Sequence, residues 1–207
     1  MRARILIASL AVFLLLGAVV VYRRESSSSG VAAPVSVSPG RPQIGLAVDP
    51  RNGDLLKAAS AQLFRSKDGG RRWVPLPLPA RFASTGVSQV VVNPEKPDVI
   101  YAAGPGAGVL MSRDSGATWQ QINTGLSSTD VEALAIHASR RATLFVSLRG
   151  KGMYRTEDSG QRWQRMDGGP AAQPVLALAH SPLEGSMNTG WLYAGTKEGP
   201  YISMDCF

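Results

Sequence analysis

One eight-residue pattern recurs through this chain and constrains its fold more than any other feature. It reads Ser66-Lys67-Asp68-Gly69-Gly70-Arg71-Arg72-Trp73, then Ser112-Arg113-Asp114-Ser115-Gly116-Ala117-Thr118-Trp119, then Thr156-Glu157-Asp158-Ser159-Gly160-Gln161-Arg162-Trp163. A fourth copy opens at Ser203-Met204-Asp205. The starts lie 46, 44 and 47 residues apart, so the chain is a repeat protein whose unit is one small sheet. Each copy holds a hydroxyl, an Asp, a Gly and a Trp at fixed offsets, which predicts a hairpin tip. The Asp carboxylate accepts from backbone N–H groups of its own turn, and the hydroxyl ties down the other side. Gly70, Gly116 and Gly160 supply a positive φ without a Cβ clash. The Trp opens the next strand as a large apolar plate.

The residues upstream repeat as well. Apolar runs ending in a turn former occur at Leu46–Pro50, Val91–Pro94, Ala135–His137 and Leu178–His180. Second runs occur at Leu55–Ala59, Val99–Ala103, Thr143–Ser147 and Trp191–Gly195. Third runs lead into the boxes, with Phe64, Leu110, Tyr154 and Tyr201 each two residues before the hydroxyl. Short apolar and β-branched runs bounded by Gly, Pro and Asn are strands. With the strand after each Trp, every unit holds four antiparallel strands in about 45 residues, the size of one propeller blade.

These residues closely resemble the BNR/Asp-box repeat of sialidases, sortilin-type receptors, some endoglucanases and photosystem II stability/assembly factors. The resemblance covers roughly residues 43–207. It implies an all-β propeller, or part of one, built of four-stranded antiparallel blades. About four are present here, the last incomplete. It also implies that the Asp box is structural and lies away from the substrate-binding face. The chain looks most similar to the photosystem II stability/assembly factor-like proteins, which resemble it in compactness and in lacking hydrolase residues.

The N-terminus is a separate object. Arg2 and Arg4 precede eighteen uncharged residues, Ile5 to Tyr22, closed by Arg23-Arg24. As a helix that run spans about 27 Å, near the thickness of a hydrocarbon core. Residues 1–24 are therefore expected to be one transmembrane anchor, with a cleaved signal as the alternative. Residues 25–42, with Ser26 to Gly30 and several Pro, have linker composition. Residues 43–207 hold the blades. The domain is expected outside the cytoplasm, membrane-anchored, or secreted if the first segment is removed. The fourth box breaks at Phe207, where Gly is required, so the ring is expected to be C-terminally incomplete unless Val31 to Val37 supplies the missing outer strand.

Charge and cysteine add less. Cys206 is the sole cysteine, so the chain forms no internal disulfide. Of the net +7, the charges at Arg2, Arg4, Arg23, Arg24 and Glu25 contribute +3, leaving +4 on the blades. No pattern points to nucleic acid.

Asp68, Asp114, Asp158 and Asp205 can be read as catalytic carboxylates or calcium ligands, but one per hairpin tip spreads them around a rim, which favours turn stabilisation. His137 and His180 are expected to be turn formers at the register of Asp49 and Asn93. Two histidines without an acidic cluster make a poor zinc site. Trp73, Trp119 and Trp163 can be read as sugar platforms or as packing between outer strands, and the repeat favours packing. Tyr101, Phe145 and Tyr193 share one strand register and are expected in the core. No Arg triad, Tyr–Glu pair or acid can be assigned for a sialidase. No cofactor or metal is expected.

In an up-and-down blade, the turn after the first strand and the box turn share one end. That end carries Arg51, Lys67, Arg71, Arg72, Lys96, Arg113, Arg140, Arg141 and Arg162, interleaved with Asp54, Glu95, Asp98 and Glu157. Arg71, Arg72, Arg140 and Arg141 are the candidate partner-binding residues, expected as a broad basic arc facing an acidic protein surface. The functional expectation is a non-enzymatic, membrane-tethered assembly or docking scaffold. The alternative is a glycoside hydrolase whose catalytic blades lie beyond residue 207. Carbohydrate binding has no residue support in this sequence.

Overall fold

The computed structural model describes residues 44–203, apart from 60, 83–84, 171–172 and 184–189. The chain divides into two units, Met1–Arg41 and Pro42–Phe207. The expected anchor at 1–24, the linker at 25–42, the strand at Val31–Val37 and the terminal residues Asp205, Cys206 and Phe207 lie outside the described residues. Among those described, no helix is long and apolar enough to cross a membrane.

The described residues build four antiparallel sheets in sequence order. The first blade holds β1 (Gly45–Val48), β2 (Leu55–Ala59), β3 (Gln62–Ser66) and β4 (Val74–Leu76). The second holds β5 (Gln89–Val92), β6 (Ile100–Gly104), β7 (Gly108–Ser112) and β8 (Gln120–Gln121). The third holds β9 (Val131–Ile136), β10 (Leu144–Leu148), β11 (Gly152–Thr156) and β12 (Gln164–Arg165). The fourth shows β13 (Val175–Ser181), β14 (Trp191–Thr196) and β15 (Gly199–Ser203). Each strand pairs with its sequence neighbour, so every blade is a meander made of local contacts. This is a four-blade antiparallel propeller arrangement, as the repeat spacing implies.

Successive blades stack through their first strands, β1 on β5, β5 on β9 and β9 on β13. Because side chains alternate across a strand, each blade has a forward face toward the next blade and a backward face toward the previous one. Forward faces present mostly small residues at the first strand: Gly45 and Ala47, Gln89 and Val91, Ala133 and Ala135. Backward faces present larger ones, Val90 and Val92 packing on Ala47 and Leu56, then Leu134 and Ile136 packing on Val91 and Tyr101. The fit is tight. A Cβ on Gly45 would lie 2.7 Å from the Ser88 carbonyl oxygen and 2.9 Å from the Val90 nitrogen.

The box tryptophans extend these joints outward. Trp119 packs with Leu56 and Leu63 of the first blade, and Trp163 with Tyr101 and Val109 of the second. Trp163 also donates its indole Nε1–H to the Ile122 carbonyl at 2.7 Å. Trp73 is only half-buried and lies under the Lys57 ammonium, 4.3 Å from the ring centroid.

Tyr101 and Phe145 are core residues as expected, while Tyr193, at the same register of the fourth blade, is half-buried. The histidines divide. His137 occupies the turn register: its backbone N–H bonds to Thr143, as Asn93 bonds to Val99 and Asp49 to Asp54. Its Nδ1 accepts from the N–H groups of Ser139 and Arg140, doing what the Asn93 side chain does for Glu95 and Lys96. His180 does not occupy that register. It lies inside β13 opposite Leu192, where Val48, Val92 and Ile136 sit in the other blades. The residue at the turn register of the fourth blade is Ser181, which stands opposite Trp191 as the last residue of β13.

Candidate functional site

The box turns close as their residue types dictate. In the first, Ser66 Oγ donates to Asp68 at 2.8 Å and accepts from the Gly70 N–H at 2.8 Å, while Asp68 accepts from the Arg72 N–H at 2.8 Å. Ser112, Asp114, Gly116 and Thr118 repeat this net, as do Thr156, Asp158, Gly160 and Arg162. Gly70, Gly116 and Gly160 have φ of 92°, 92° and 90°. The preceding residue is also left-handed in each turn, Gly69 at 71° and Ser115 and Ser159 at 61°. Ser203 is described and buried, whereas Asp205 is not described.

These bonds set the charge state of the turns. Thr118, through its hydroxyl and then its N–H, and Ser112 hold the Asp114 carboxyl down to about 2. The Arg72 N–H and the Ser66 hydroxyl lower Asp68, and the Thr156 hydroxyl and the Arg162 N–H lower Asp158. At neutral pH all three are carboxylates with no proton to give, so none is poised as a general acid.

Box turns and first-strand turns meet at one end of the blades. The Ser115 N–H and hydroxyl donate to Asp98 at 2.9 and 2.6 Å, and the Ser159 N–H donates to the Ala142 carbonyl at 2.8 Å. Contacts between blades stitch the same end. Arg51 pairs with Asp49 at 2.8 Å and with Asp98 at 2.7 Å, and Arg65 reaches the Ser115 carbonyl at 3.1 Å. Arg141 pairs with Glu95 at 3.5 Å and donates to the His137 carbonyl at 2.9 Å.

The four candidate arginines therefore separate by role. Arg71, Arg72 and Arg140 are exposed, and none of them has an ion-pair partner among the described residues. Arg141 is half-buried and ties the third blade to the second. Arg72 borders a recess of about 510 Å³ with Arg65, Lys67, Asp68, Val74 and Leu76, an apolar floor under a rim of three cations and one carboxylate. Arg141 borders a second recess of about 280 Å³, shared with Lys96, Arg113, Tyr101 and Glu95 at the seam of blades two and three. Sequence reasoning missed Arg65, because an arginine inside a strand gives no sign of reaching 50 residues along the chain.

The opposite end is charge-compensated. Arg149 pairs with Asp130 at 3.0 Å and with Glu132 at 3.6 Å. Burial pushes the Glu132 carboxyl up, opposed by the Val175 N–H that it accepts at 3.2 Å. No group of three or more His, Cys, Asp or Glu among the described residues is placed to hold a metal ion.

Comparison with known proteins places the fold. No family model matches the chain, and no curated protein matches its sequence. Solved structures do. A GH74 enzyme of Niastella koreensis aligns with a TM-score of 0.58 at 17% identity, over 76% of this chain and 26% of its own. YCF48 bound to a D1 peptide aligns at 0.56 and 20% identity, over 77% and 49%. YCF48 from Cyanidioschyzon merolae aligns at 0.51 and 10% identity, over 76% and 52%. The chain thus spans about a quarter to a half of the length of these structures, and at such identities the likeness establishes a shared β-propeller fold.

Proposed function

We propose that this chain is a non-enzymatic docking propeller that receives an acidic protein segment across the end bearing the box turns. The observation that carries this reading is the division of labour among charges there. Asp68, Asp114 and Asp158 fold back onto turn N–H groups, and the exposed Asp98, Glu95 and Glu157 pair with Arg51, Arg141 and Arg155, while Lys67, Arg71, Arg72, Lys96, Arg113, Arg140 and Arg162 stand exposed without such partners among the described residues. Such cations steer an acidic partner and lose their pull as salt rises. The apolar floor of the Arg72 recess, with Val74 and Leu76, adds room for one hydrophobic side chain of that partner. A structural neighbour, YCF48, is bound to a D1 peptide, which supports peptide capture by a propeller of this kind.

Reversal of Arg71, Arg72 and Arg140 to Glu tests the reading. Binding of a fluorescent acidic peptide is expected to fall at least tenfold at low salt, with melting unchanged. Equal binding by the reversed variant sinks the proposal. Arg141 is kept out of that variant, because its bonds to Glu95 and His137 make its loss a stability change as well.

In the same reading, residues 1–24 tether the blades outside the cytoplasm, and 25–42 give them reach. Membranes washed in carbonate should retain the full chain. Release into the supernatant with a mature N-terminus beginning after about residue 24 would identify a cleaved signal instead. The likeness to GH74 enzymes favours one second reading, a glycan-cleaving propeller, and release of sugar from β-glucans or sialosides by the purified chain would establish it.

A further inference from the structure

We propose that the recess at the seam of the second and third blades is a binding site for a phosphoryl group, held by Lys96, Arg113 and Arg141. It lies at the docking end but needs none of Arg71, Arg72 and Arg140, so it stands or falls apart from the docking of an acidic segment.

The recess exists because this seam lacks the side chains that close its counterpart. Strand pairing sets Arg65, opposite Leu56, level with Met111, opposite Tyr101. The box turns set Asp98, whose carbonyl accepts the Ser115 N–H, level with Ala142, whose carbonyl accepts the Ser159 N–H. At the first seam Arg65 crosses to the Ser115 carbonyl at 3.1 Å. The Asp98 carboxylate there takes Arg51 at 2.7 Å and the Ser115 hydroxyl at 2.6 Å. The third seam is occupied by the His180 ring, stacked 3.8 Å from that of His137. At the second seam a methionine replaces the arginine and an alanine the aspartate, and neither can make those bonds. The corresponding space is open, about 280 Å³, with Met111 and Ala142 on its wall.

The charges around that space suit a dianion. Lys96, Arg113 and Arg141 bring three positive charges and Glu95 one negative, a net of plus two. Lys96 and Arg113 are exposed, and neither has an ion-pair partner among the described residues. The Arg141 Nε is buried without a hydrogen bond, the Glu95 carboxylate standing 3.5 Å away. Tyr101 also lines the recess. Burial pushes its phenol up, with Ser159 and the Arg113 guanidinium opposing that, so at neutral pH it is a hydroxyl with a proton to donate. A phosphoryl group carries close to two negative charges at neutral pH and offers three acceptor oxygens, which engages this whole set. A carboxylate, with one charge and two oxygens, leaves part of it unused. Against about 30 Å³ for one water, the volume leaves room for the first carrier atoms beside the phosphoryl group.

The test uses the full chain in detergent micelles, labelled at its methionine methyl groups and read by nuclear magnetic resonance. Inorganic phosphate is exchanged for chloride at constant ionic strength. The Met111 methyl signal is expected to shift saturably, while those of Met153 and Met166, in the cluster between blades three and four, stay fixed. Arg113→Gln, at an exposed position, should weaken the titration roughly tenfold through loss of one charge-assisted bond, with melting unchanged. Lys151→Gln removes the same charge at the opposite end and should change nothing. A phosphoserine peptide that saturates below the phosphate range, with its serine counterpart inert, makes a phosphorylated partner the source of the group. A peptide no tighter than phosphate makes the source a free phosphate. An unmoved Met111 signal overturns the proposal. So does a titration that Lys151→Gln weakens as much as Arg113→Gln, since phosphate would then follow overall charge and not this recess.

Discussion

Trp163→Ala is expected to lower stability by about 3–5 kcal/mol, as removal of a buried aromatic does. For a domain of this size that corresponds to a fall in melting temperature of roughly 10 °C or more. Trp163 is 2% exposed and packs in the cluster that joins blades two and three. Its indole N–H satisfies the Ile122 carbonyl, and its own backbone N–H donates to Thr124 at 2.9 Å. The backbone around it is closely packed: Gly125 has φ of 95°, and a Cβ there would lie 2.3 Å from the Trp163 carbonyl oxygen. Trp163→Phe keeps most of the plate and should cost only about 1–2 kcal/mol, from the Ile122 carbonyl losing its donor. Thermal melts of the two variants separate plate from hydrogen bond. An alanine variant that melts within a degree of wild type would show that the box tryptophans do not lock the blades.

Phe145→Ala is expected to cost a similar 3–5 kcal/mol and to weaken a pH dependence that the wild type should show. Phe145 is fully buried and packs with Met153, Met166 and Leu192 between blades three and four. The His180 ring stacks on it and on His137, 3.8 Å from the latter. Burial first, then the charges of His137, Arg140 and Arg141, hold His180 down to about 4. A folded pKa below the ordinary 6.5 means that the unfolded chain takes up the proton first as pH falls. The stabilisation is therefore complete above about pH 6.5 and is lost as pH falls toward 4. His180 is only half-buried, so the loss is on the order of 1–2 kcal/mol, well short of the full shift. Melting at pH 7 and at pH 5 measures it. His180→Phe keeps the stack and should flatten the slope, while an unchanged slope in that variant would assign it to other groups.

The repeat made the blades legible from sequence, because each box fixes a turn and each turn fixes the strands on either side. Register was less legible. Aligned by its apolar run, Leu55 falls with Val99, Thr143 and Trp191. In the structure it aligns with Ile100, Leu144 and Leu192, since these four stand opposite the box hydroxyls Ser66, Ser112, Thr156 and Ser203. A run of apolar residues tolerates a slip of one, whereas a hydrogen-bonded turn does not. His180 was misplaced for the same reason: matched by residue type to His137 it slips by one, and strand pairing aligns it with Ile136 instead. At the candidate site, topology sufficed to put the cationic turns at one end. It could not separate exposed Arg140 from its neighbour Arg141, whose partners Glu95 and the His137 carbonyl lie in different turns. Nor could it show that the first blade's Leu46 and Val48 are exposed, because in sequence they match the buried pair Val90 and Val92 of the second blade.

The central claim is that an acidic partner docks across the end of the propeller that carries the box turns. Amide hydrogen exchange with and without a saturating acidic peptide tests it most directly. The account predicts slowed exchange in the turns around Lys67–Arg72, Lys96–Asp98 and Arg113–Thr118, with the opposite-end turns at Arg149–Lys151 and Lys197–Glu198 unchanged. Slowed exchange at Arg149–Lys151 and Lys197–Glu198, with the box turns unaffected, would contradict it.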